Sequence, residues 1–254
     1  MMIAILGIGE AGGVLARDLI AKGVLVRGWD PEPRNLPRGL EFAAGNPAAA
    51  SHAEIILSVN WASVAIEVAT EVAPVLQPNQ LYADLNTSAP QLKRDLATII
   101  EKAGASFVDA ALMDPVPPKG LGTQVYASGS GAELFTKKMT PLGMPVTYLD
   151  REAGNAATHK LVRSIMYKGV AAVIMECLEA AEALNMTEYA RAQMLKIIYD
   201  EPMIDRFVNG SIQHARRRVH EMEAVVEMLN SMGVSAFTSQ AAVQRLKEIM
   251  ERTG

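Results

Sequence analysis

The stretch Ile3-Ala4-Ile5-Leu6-Gly7-Ile8-Gly9-Glu10-Ala11-Gly12-Gly13 decides the fold of this 254-residue chain. Its first four residues form an apolar strand, and three glycines with the spacing GxGxxG follow directly. In this pattern Gly7 permits a tight turn, Gly9 lets the backbone approach a pyrophosphate, and Gly12 lets the next helix pack close to the strand. The sequence therefore predicts a dinucleotide-binding turn, whose cofactor-binding residues would be Gly7, Ile8, Gly9, Glu10, Ala11 and Gly12.

The segment after this turn predicts how the rest of a dinucleotide would be held. A helix over about Glu10–Lys22 points its free N–H groups at the two phosphates. The strand Val24–Val26 then leads to Asp30, which lies near the roughly 20-residue spacing of the acid that binds the adenosine ribose. A carboxylate at this position favours NAD. NADP stays open as an alternative because Arg34 or Arg38 could accept its additional phosphate.

Composition narrows the class of protein. The net charge of −4 and the 5% content of aromatic residues do not provide the basic field and stacking rings typical of nucleic-acid binding. We identify no signal peptide, and the apolar stretch Gly169–Met175 is too short to cross a membrane. The four histidines lack metal-site spacing, so no metal is expected. The single cysteine, Cys177, can form no intrachain disulfide and is expected in the helical core of a cytoplasmic protein.

Two sequence patterns divide the chain. Over residues 1–151, short apolar runs alternate with helical segments, which is typical of a Rossmann-type, doubly wound, mostly parallel α/β sheet. Over residues 152–254, alanine, leucine, methionine, glutamate and arginine recur at helical spacing, which predicts an all-helical domain. Beyond the first two strands we expect strands at 54–59, 80–84, 107–109, 124–127 and 146–149. The expected further helices are 64–75, 90–102 and about 155–184.

A polar stripe opens the helical half. One side of its first helix carries Lys160, Arg163, Ser164 and Tyr167, and the other carries Leu161, Val162, Ile165 and Met166. A solvated helix face would give the same pattern, but this one begins where the two halves join, a common position for small-molecule sites. A partly desolvated lysine can take a hydroxyl proton while hydride leaves carbon. Lys160 is therefore the predicted general acid/base, with Ser164 as its catalytic partner.

Four stretches of the chain together resemble the β-hydroxyacid dehydrogenases, a family that includes 6-phosphogluconate and 3-hydroxyisobutyrate dehydrogenases. They are the glycine turn ending at Asp30, the segments Asp84–Pro90 and Asp109–Thr123, and the glycine-led helix bearing Lys160. The run Lys160–Ser164 followed by Lys168-Gly169 is more similar to a less-characterised phosphogluconate-dehydrogenase-like branch. The resemblance implies a helical substrate domain through which the protein forms a homodimer, and Lys160 as general acid/base. It also implies contacts to the nicotinamide side of the cofactor from Val59, Asn60 and Thr87, and Ser58 is a further predicted cofactor-binding residue.

The chain departs from this family where the substrate is held. The family's Ser-Gly-Gly grip on the substrate carboxylate is replaced by Met113-Asp114-Pro115, and its asparagine four residues after the lysine is Ser164. We still expect a carboxylate substrate, contacted by Met113, Asp114, Pro115, Lys119, Arg163 and Tyr167. For Lys119 an ordinary exposed loop lysine is an equal alternative. The basic run His214–His220 predicts either a solvated face of salt bridges or an anion-binding contribution from a neighbouring subunit.

Three functions remain open at the level of sequence. The first is an NAD-preferring oxidoreductase that interconverts a small hydroxy acid, or a related polar alcohol, with its carbonyl form. The second is a reductase of imines or ketones, and the retention of Lys160 argues against it. The third is a non-catalytic protein that senses NAD through its helical domain. Cofactor turnover distinguishes the two enzymes from the sensor.

Overall fold

The computed structural model describes residues 1–253. Their Cα positions fall into two compact units, the first over Met1–Lys160 and the second beginning at Leu161. The change from one unit to the next therefore comes after the boundary expected at 151/152. The assignment of a dinucleotide-binding role to the first part and a substrate role to the second stays a prediction.

The first unit contains an eight-stranded sheet with the strand order β3-β2-β1-β4-β5-β6-β7-β8. Neighbouring strands run parallel except β6 and β7, which are antiparallel. The strands are β1 Met2–Leu6, β2 Leu25–Trp29, β3 Glu41–Phe42, β4 Ile55–Ser58, β5 Leu81–Asp84, β6 Ser106–Leu112, β7 Val125–Ser128 and β8 Val146–Asp150. The predicted mostly parallel α/β fold is confirmed.

Helices cover both faces of this sheet. They are α1 Glu10–Ala21, α2 Asn46–Ala50, α3 Ala65–Val72, α4 Pro90–Lys102, α5 Val116–Lys119 and α6 Ala132–Met139. Successive residues of β1 belong to different hydrophobic clusters: Ile5 packs with Leu15 of α1, and Leu6 packs with Leu96 of α4. A strand that is buried on both faces reads as a continuous apolar run, which explains why β1 is apolar throughout.

The described residues of the second unit form helices and the turns between them. After α7 Asn155–Ala183, which begins in the first unit, the chain forms α8 Thr187–Ile198, α9 Glu201–Gln213, α10 Ala215–Ser231 and α11 Phe237–Thr253. Ile174 of α7, Met194 of α8 and Phe207 of α9 meet in one hydrophobic cluster. The predicted all-helical second half is confirmed. No helix within residues 1–253 is both long and apolar enough to cross a membrane.

The structure buries and exposes different residues of α7 from those predicted. Ser164 is buried, whereas Val162 and Met166 are 55% and 70% exposed, so the side predicted to pack is in part the outer side. The reason is that the buried side of α7 meets polar partners from α10, which a helical pattern read in isolation does not reveal. Cys177 is exposed rather than in the core, because the core-facing positions of this part of α7 include Ile174.

Four short elements were absent from the sequence prediction. They are β3, α2, α5 and α6, of which β3 has two residues, α2 has five and α5 has four. Such elements are too short to show a hydrophobic period. Helix α6 follows the stretch Ser128-Gly129-Ser130-Gly131, whose composition is typical of a loop.

Candidate active site

The glycine turn between β1 and α1 has no room for side chains at Gly7 and Gly12, but it is open to solvent at Gly9. Gly7 has a φ of +104°, and a side chain there would overlap the carbonyl oxygen of Val59. A side chain at Gly12 would overlap the carbonyl oxygen of Gly7, whereas a Cβ at Gly9 would have no neighbour within 4 Å. Helix α1 begins at Glu10 without a side-chain cap. The turn therefore fits a pyrophosphate, because free N–H groups and open space coincide at the start of this helix.

Asp30 lies directly after β2 and is held by two backbone groups. Its Oδ2 accepts a hydrogen bond from the N–H of Ile8 at 2.8 Å, and its Oδ1 accepts one from the N–H of Glu32 at 2.8 Å. A carboxylate has about four acceptor sites, so this one can also accept hydrogen bonds from ribose hydroxyls. Arg34 and Arg38 are exposed in the following loop, and Arg34 pairs with Glu32 at 3.8 Å.

A polar network connects the carboxyl ends of β4 and β5. The amide nitrogen of Asn86 donates to Oδ1 of Asn60 at 2.9 Å, and the amide nitrogen of Asn60 donates to Ser58 Oγ at 3.1 Å. The next residue, Thr87, accepts a hydrogen bond from Lys160 Nζ at 2.6 Å. These side chains border a narrow crevice, whose lining is Asn86, Thr87, Ser88, Lys93, Asp109, Ala111, Ala157 and Lys160. Lys160 is thus brought to the strand ends where open α/β sheets bind ligands.

Beneath this crevice lies a first-unit ion cluster of Asp84, Lys93 and Asp109. The two aspartates face each other in the β5–β6 pair, and all three side chains are at most 1% exposed. Lys93 Nζ donates to Asp84 Oδ2 at 2.6 Å, to the carbonyl oxygen of Asp84 at 3.0 Å and to that of Asn86 at 2.8 Å. Asp109 Oδ1 is 3.4 Å away. Burial disfavours the ammonium, but the two carboxylates outweigh it and raise the pKa of Lys93.

Asp109 also fixes the start of α7. Its Oδ2 accepts hydrogen bonds from the N–H of Gly154 at 3.1 Å and from that of Ala157 at 2.9 Å. Ser128 Oγ accepts from the N–H of Ala156 at 3.0 Å. A carboxylate at a helix N-terminus satisfies N–H groups that have no partner in the helix and interacts favourably with its dipole. The same ion cluster therefore holds both the Asn86-Thr87 loop and the helix that carries Lys160.

The second unit contains its own buried polar group, which we term the second-unit cation cluster: Ser164, Tyr167, Lys168, Arg218 and Glu221. Ser164 Oγ donates to Glu221 Oε1, and Lys168 Nζ donates to the same oxygen at 2.6 Å. Arg218 donates to Ser211 Oγ at 2.7 Å and lies 5.6 Å from the centre of the Tyr167 ring. Burial lowers the pKa of Lys168; Glu221 opposes this shift, and the positive charge of Arg218 adds to it.

The predicted substrate residues occupy different environments. Met113, Asp114 and Pro115 follow β6, and Asp114 Oδ2 accepts from Lys119 Nζ at 2.6 Å. The Lys119 side chain is 53% exposed. On α7, Arg163 is exposed and lies 5.9 Å from the centre of the Tyr167 ring. The assignment of these residues to substrate binding stays a prediction.

Sequence reasoning missed Lys93, Lys168, Arg218 and Glu221 as members of the two clusters. Lys93 stands in the run Gln91-Leu92-Lys93-Arg94-Asp95, which is typical of a solvated helix surface. The available signal was a pair of aspartates within otherwise apolar strands, since buried carboxylates require a cation or several donors. The run His214–His220 was expected at the surface or as an anion contact, yet its Arg218 is 7% exposed. In the described part of the chain, no group of three or more metal-ligating side chains is present.

Comparison with known proteins gives two family matches. Residues 2–135, more than half of the chain, match the NAD binding domain of 6-phosphogluconate dehydrogenase. Residues 186–249 match a domain of unknown function, DUF1932. A probable 3-hydroxyisobutyrate dehydrogenase from Mycobacterium tuberculosis is 25% identical over 149 residues, which span 57% of this chain and 50% of that protein.

Two solved structures share the fold over nearly the whole chain. A conserved hypothetical protein from Sinorhizobium meliloti 1021 has a TM-score of 0.78 and 27% identity, covering 97% of this chain and 87% of that one. The 3-hydroxyisobutyrate dehydrogenase of Mycobacterium tuberculosis, solved with L-serine, has a TM-score of 0.80 and 17% identity. That match covers 97% of this chain and 92% of the enzyme, and at this identity it shows the fold alone.

Proposed function

Because the chain belongs to the family of the NAD binding domain of 6-phosphogluconate dehydrogenase, and so to the β-hydroxyacid dehydrogenases, we propose that it interconverts a small hydroxy acid, or a related polar alcohol, with its carbonyl form. The observation that carries this proposal is the 2.6 Å hydrogen bond from Lys160 Nζ to Thr87 Oγ1 at the carboxyl ends of the strands. This bond supports a proton-transferring role for Lys160, which lies in the same unit as the glycine turn.

The chain's own residues supply the binding and the proton transfer. A bound nicotinamide ring would take the hydride in oxidation and give it in reduction. Neutral Lys160 would accept the substrate hydroxyl proton at Nζ during oxidation, and its ammonium form would return the proton to the carbonyl oxygen during reduction. Thr87 would orient Nζ through the hydrogen bond it accepts, and the catalytic role of Ser164 stays a prediction.

The test of this mechanism is Lys160→Ala, measured as cofactor reduction with a panel of hydroxy acids. We expect a loss of kcat of about 10²- to 10⁴-fold, the usual contribution of a positioned acid or base, with NADH affinity unchanged. Lys102→Ala, at an exposed position of α4, is the matched control. Undiminished turnover in the Lys160 variant would remove this lysine from the mechanism. Turnover of imines alone would favour the reductase, and tight NADH binding without any turnover would favour the sensor.

Asp30 supports a preference for NAD over NADP. Its carboxylate is fixed by the N–H groups of Ile8 and Glu32, and a negative charge beside the ribose repels a phosphate there. We expect Asp30→Ala to lower the ratio of kcat/KM for NAD to that for NADP by about tenfold, which corresponds to about 1.4 kcal/mol. Glu32→Ala removes an equal charge from the same loop and should leave the ratio near its original value. An unchanged ratio in the Asp30 variant contradicts the preference.

The outer side of α7 supports the proposal of a homodimer formed through the helical domain. Val162, Met166 and Val173 are more than half exposed in the single chain, and adjacent exposed apolar side chains of this kind mark interfaces. We expect Met166→Glu to shift sedimentation from dimer to monomer, whereas Glu182→Gln on the same helix should leave it unchanged. A monomeric native protein at micromolar concentration would exclude this interface.

A further inference from the structure

Ser88, one of the residues that line the crevice beside Lys160, has a buried hydroxyl group without a hydrogen-bond partner. The residue is 4% exposed, and within residues 1–253 its Oγ makes no hydrogen bond. Its neighbours in the crevice differ in this respect. Thr87 Oγ1 accepts a hydrogen bond from Lys160 Nζ, and the amide nitrogen of Asn86 donates to Asp84 Oδ1 at 2.6 Å. Because buried polar groups are almost always hydrogen-bonded, the Ser88 hydroxyl requires an explanation.

The crevice can widen at the wall that Lys160 forms. In this structure it is too narrow to hold a water molecule. Lys160 is only half-buried, and its ammonium stands on a flexible four-carbon stem. Movement of Nζ from Thr87 Oγ1 to the reacting oxygen of a substrate would therefore widen the crevice beside Ser88. The hydroxyl group of Ser88 and Nζ of Lys160 would then contact the substrate at the same time.

The charges around the crevice favour an uncharged partner for Ser88. The lining includes Lys93 and Asp109, and Asp84 pairs with the same lysine. Two carboxylates thus surround one buried ammonium, and Lys160 is neutral when it accepts a proton. These carboxylates would repel a carboxylate or phosphate of the substrate at this position. A hydroxyl group adds no charge, and it can either donate to Ser88 Oγ or accept from it.

We propose that Ser88 Oγ hydrogen-bonds a second hydroxyl group of the substrate, on the carbon next to the one that is oxidised. Ser88 and Thr87 are consecutive residues of one crevice, and Thr87 holds Lys160 Nζ, so the second hydroxyl lies close to the reacting one. A site whose polar group pairs with a substrate hydroxyl rejects the analogue that lacks it, because the group then stays unpaired. Ser88 therefore selects dihydroxy acids over monohydroxy acids. This inference rests on the proposed function.

The first experiment tests whether the Ser88 hydroxyl lacks a partner in the protein without ligands. Urea unfolding is compared for the native protein, Ser88→Ala and Ser128→Ala. Ser128 is also buried, but its Oγ accepts a hydrogen bond from the N–H of Ala156 at 3.0 Å. We expect Ser128→Ala to lower the urea midpoint and Ser88→Ala to leave it unchanged or raise it, because only the first change leaves a buried group unpaired. A midpoint lowered by Ser88→Ala overturns the proposal.

The second experiment measures substrate selection with 2,3-dihydroxybutanoate and 3-hydroxybutanoate, which differ by one hydroxyl group. We expect Ser88→Ala to lower the native preference in kcat/KM for the dihydroxy acid by about tenfold, or about 1.4 kcal/mol. The change should lie mainly in KM, because the hydrogen bond is present in the ground state and the transition state alike. Ser106→Ala, at the start of β6, should keep the native preference. Equal kcat/KM values in the native protein, or a preference unchanged by Ser88→Ala, overturn the proposal. If Ser88→Ala does not fold, Ser88→Cys replaces it, since a thiol is a weak hydrogen-bonding group.

Failure of this proposal and failure of the proposed function give different results. Turnover that depends on Lys160, with a preference indifferent to Ser88, retains the function and removes the role of Ser88. If no hydroxy acid of the panel is turned over, the proposed function fails, and binding decides the role of Ser88. The dihydroxy acid should then raise the Tm of the NADH complex more than the monohydroxy acid does, and only when Ser88 is present. Equal Tm values with both acids overturn the proposal. Weaker NADH binding by Ser88→Ala with an unchanged preference assigns the hydroxyl to the cofactor and overturns it as well.

Discussion

The first-unit ion cluster and the second-unit cation cluster bury the same kinds of side chains with opposite balances of charge. Asp84 and Asp109 surround one ammonium, and the three donors of Lys93 all reach oxygens of the same unit. In the second unit, Lys168 contacts the carboxylate of its cluster, Glu221, and Arg218 donates to Ser211 Oγ. The first cluster therefore has more carboxylates than cations, and the second has more cations than carboxylates.

The difference separates two uses of buried charge. A network whose donors are satisfied internally holds its surroundings in one arrangement, and the first-unit ion cluster holds the Thr87 loop and the start of α7 in this way. Removing one partner from a buried ion pair is strongly unfavourable, so we expect substitutions in the first cluster to change stability.

The largest expected effect is that of Lys93→Met. The variant leaves Asp84 and Asp109 buried without a cation, and removal of one partner from a buried ion pair costs about 3–5 kcal/mol. Urea unfolding measures the loss. Lys102→Met, at an exposed position in the same helix, should change the free energy of unfolding by less than about 0.5 kcal/mol. Equal stability of both variants would show that the first-unit ion cluster does not hold the fold.

Asp109→Asn should have the next largest effect, about 1.5–3 kcal/mol, the usual range for a hydrogen bond to a charged group. The change weakens the bonds that the carboxylate accepts from Gly154 and Ala157. Faster amide exchange at these two N–H groups would locate the loss at the start of α7. The control is Asp95→Asn, which alters an exposed contact with Gln91 on α4. Unaltered exchange at Ala157 would contradict the capping role.

Alanine substitutions at two glycines, one in each unit, test the same comparison. Gly12→Ala brings a methyl group against the carbonyl oxygen of Gly7, and overpacking against backbone costs about 1–3 kcal/mol. Gly210→Ala meets only the end of the Arg218 side chain, which can move, and alanine favours a helix by about 1 kcal/mol. We expect the first variant to lose stability and NADH affinity, and the second to leave stability almost unchanged. A large destabilisation by Gly210→Ala would make the Arg218 site part of the structural core.

The sequence predicts the first unit better than the clusters because local patterns determine most of its elements. The glycine turn, the apolar strands and Asp30 are contiguous signals, and the structure matches them in order and position. The sequence predicted separate roles for Lys160 and Thr87 but not the contact between them. Their distance depends on which strands are neighbours, and no local pattern determines it.

The clusters escaped prediction because burial depends on partners distant in sequence. Lys93 looks like a surface residue until β5 and β6 place Asp84 opposite Asp109. Ser164 and Lys168 look solvated until α10 brings Glu221 to them. For the same reason the exposed Val162 and Met166 looked like packing residues. Helical periodicity shows which side chains share a side of a helix but not which side a neighbouring element covers.

The smallest predicted effect is a difference in how the two buried lysines, Lys93 and Lys168, make the free energy of unfolding depend on pH. Burial disfavours both ammonium groups. In the first cluster the aspartates prevail and raise the pKa of Lys93, whereas the pKa of Lys168 is lowered. The unfolded-state pKa of lysine is about 10.4. Lys93 therefore contributes stability that is present below about pH 10.4 and is lost as pH rises through its folded-state pKa. Lys168 carries a penalty that is relieved as pH rises from its folded-state pKa towards about 10.4.

Free energies of unfolding from pH 7 to about 11 separate these signs, with a slope of at most about 1.4 kcal/mol per pH unit for one group. The stability of the native protein relative to Lys168→Met should increase with pH up to about 10.4. Relative to Lys93→Met it should stay constant and then fall. Differences of the same sign would mean that the two clusters have the same effect on the pKa of their lysines, and the contrast between the clusters would fail.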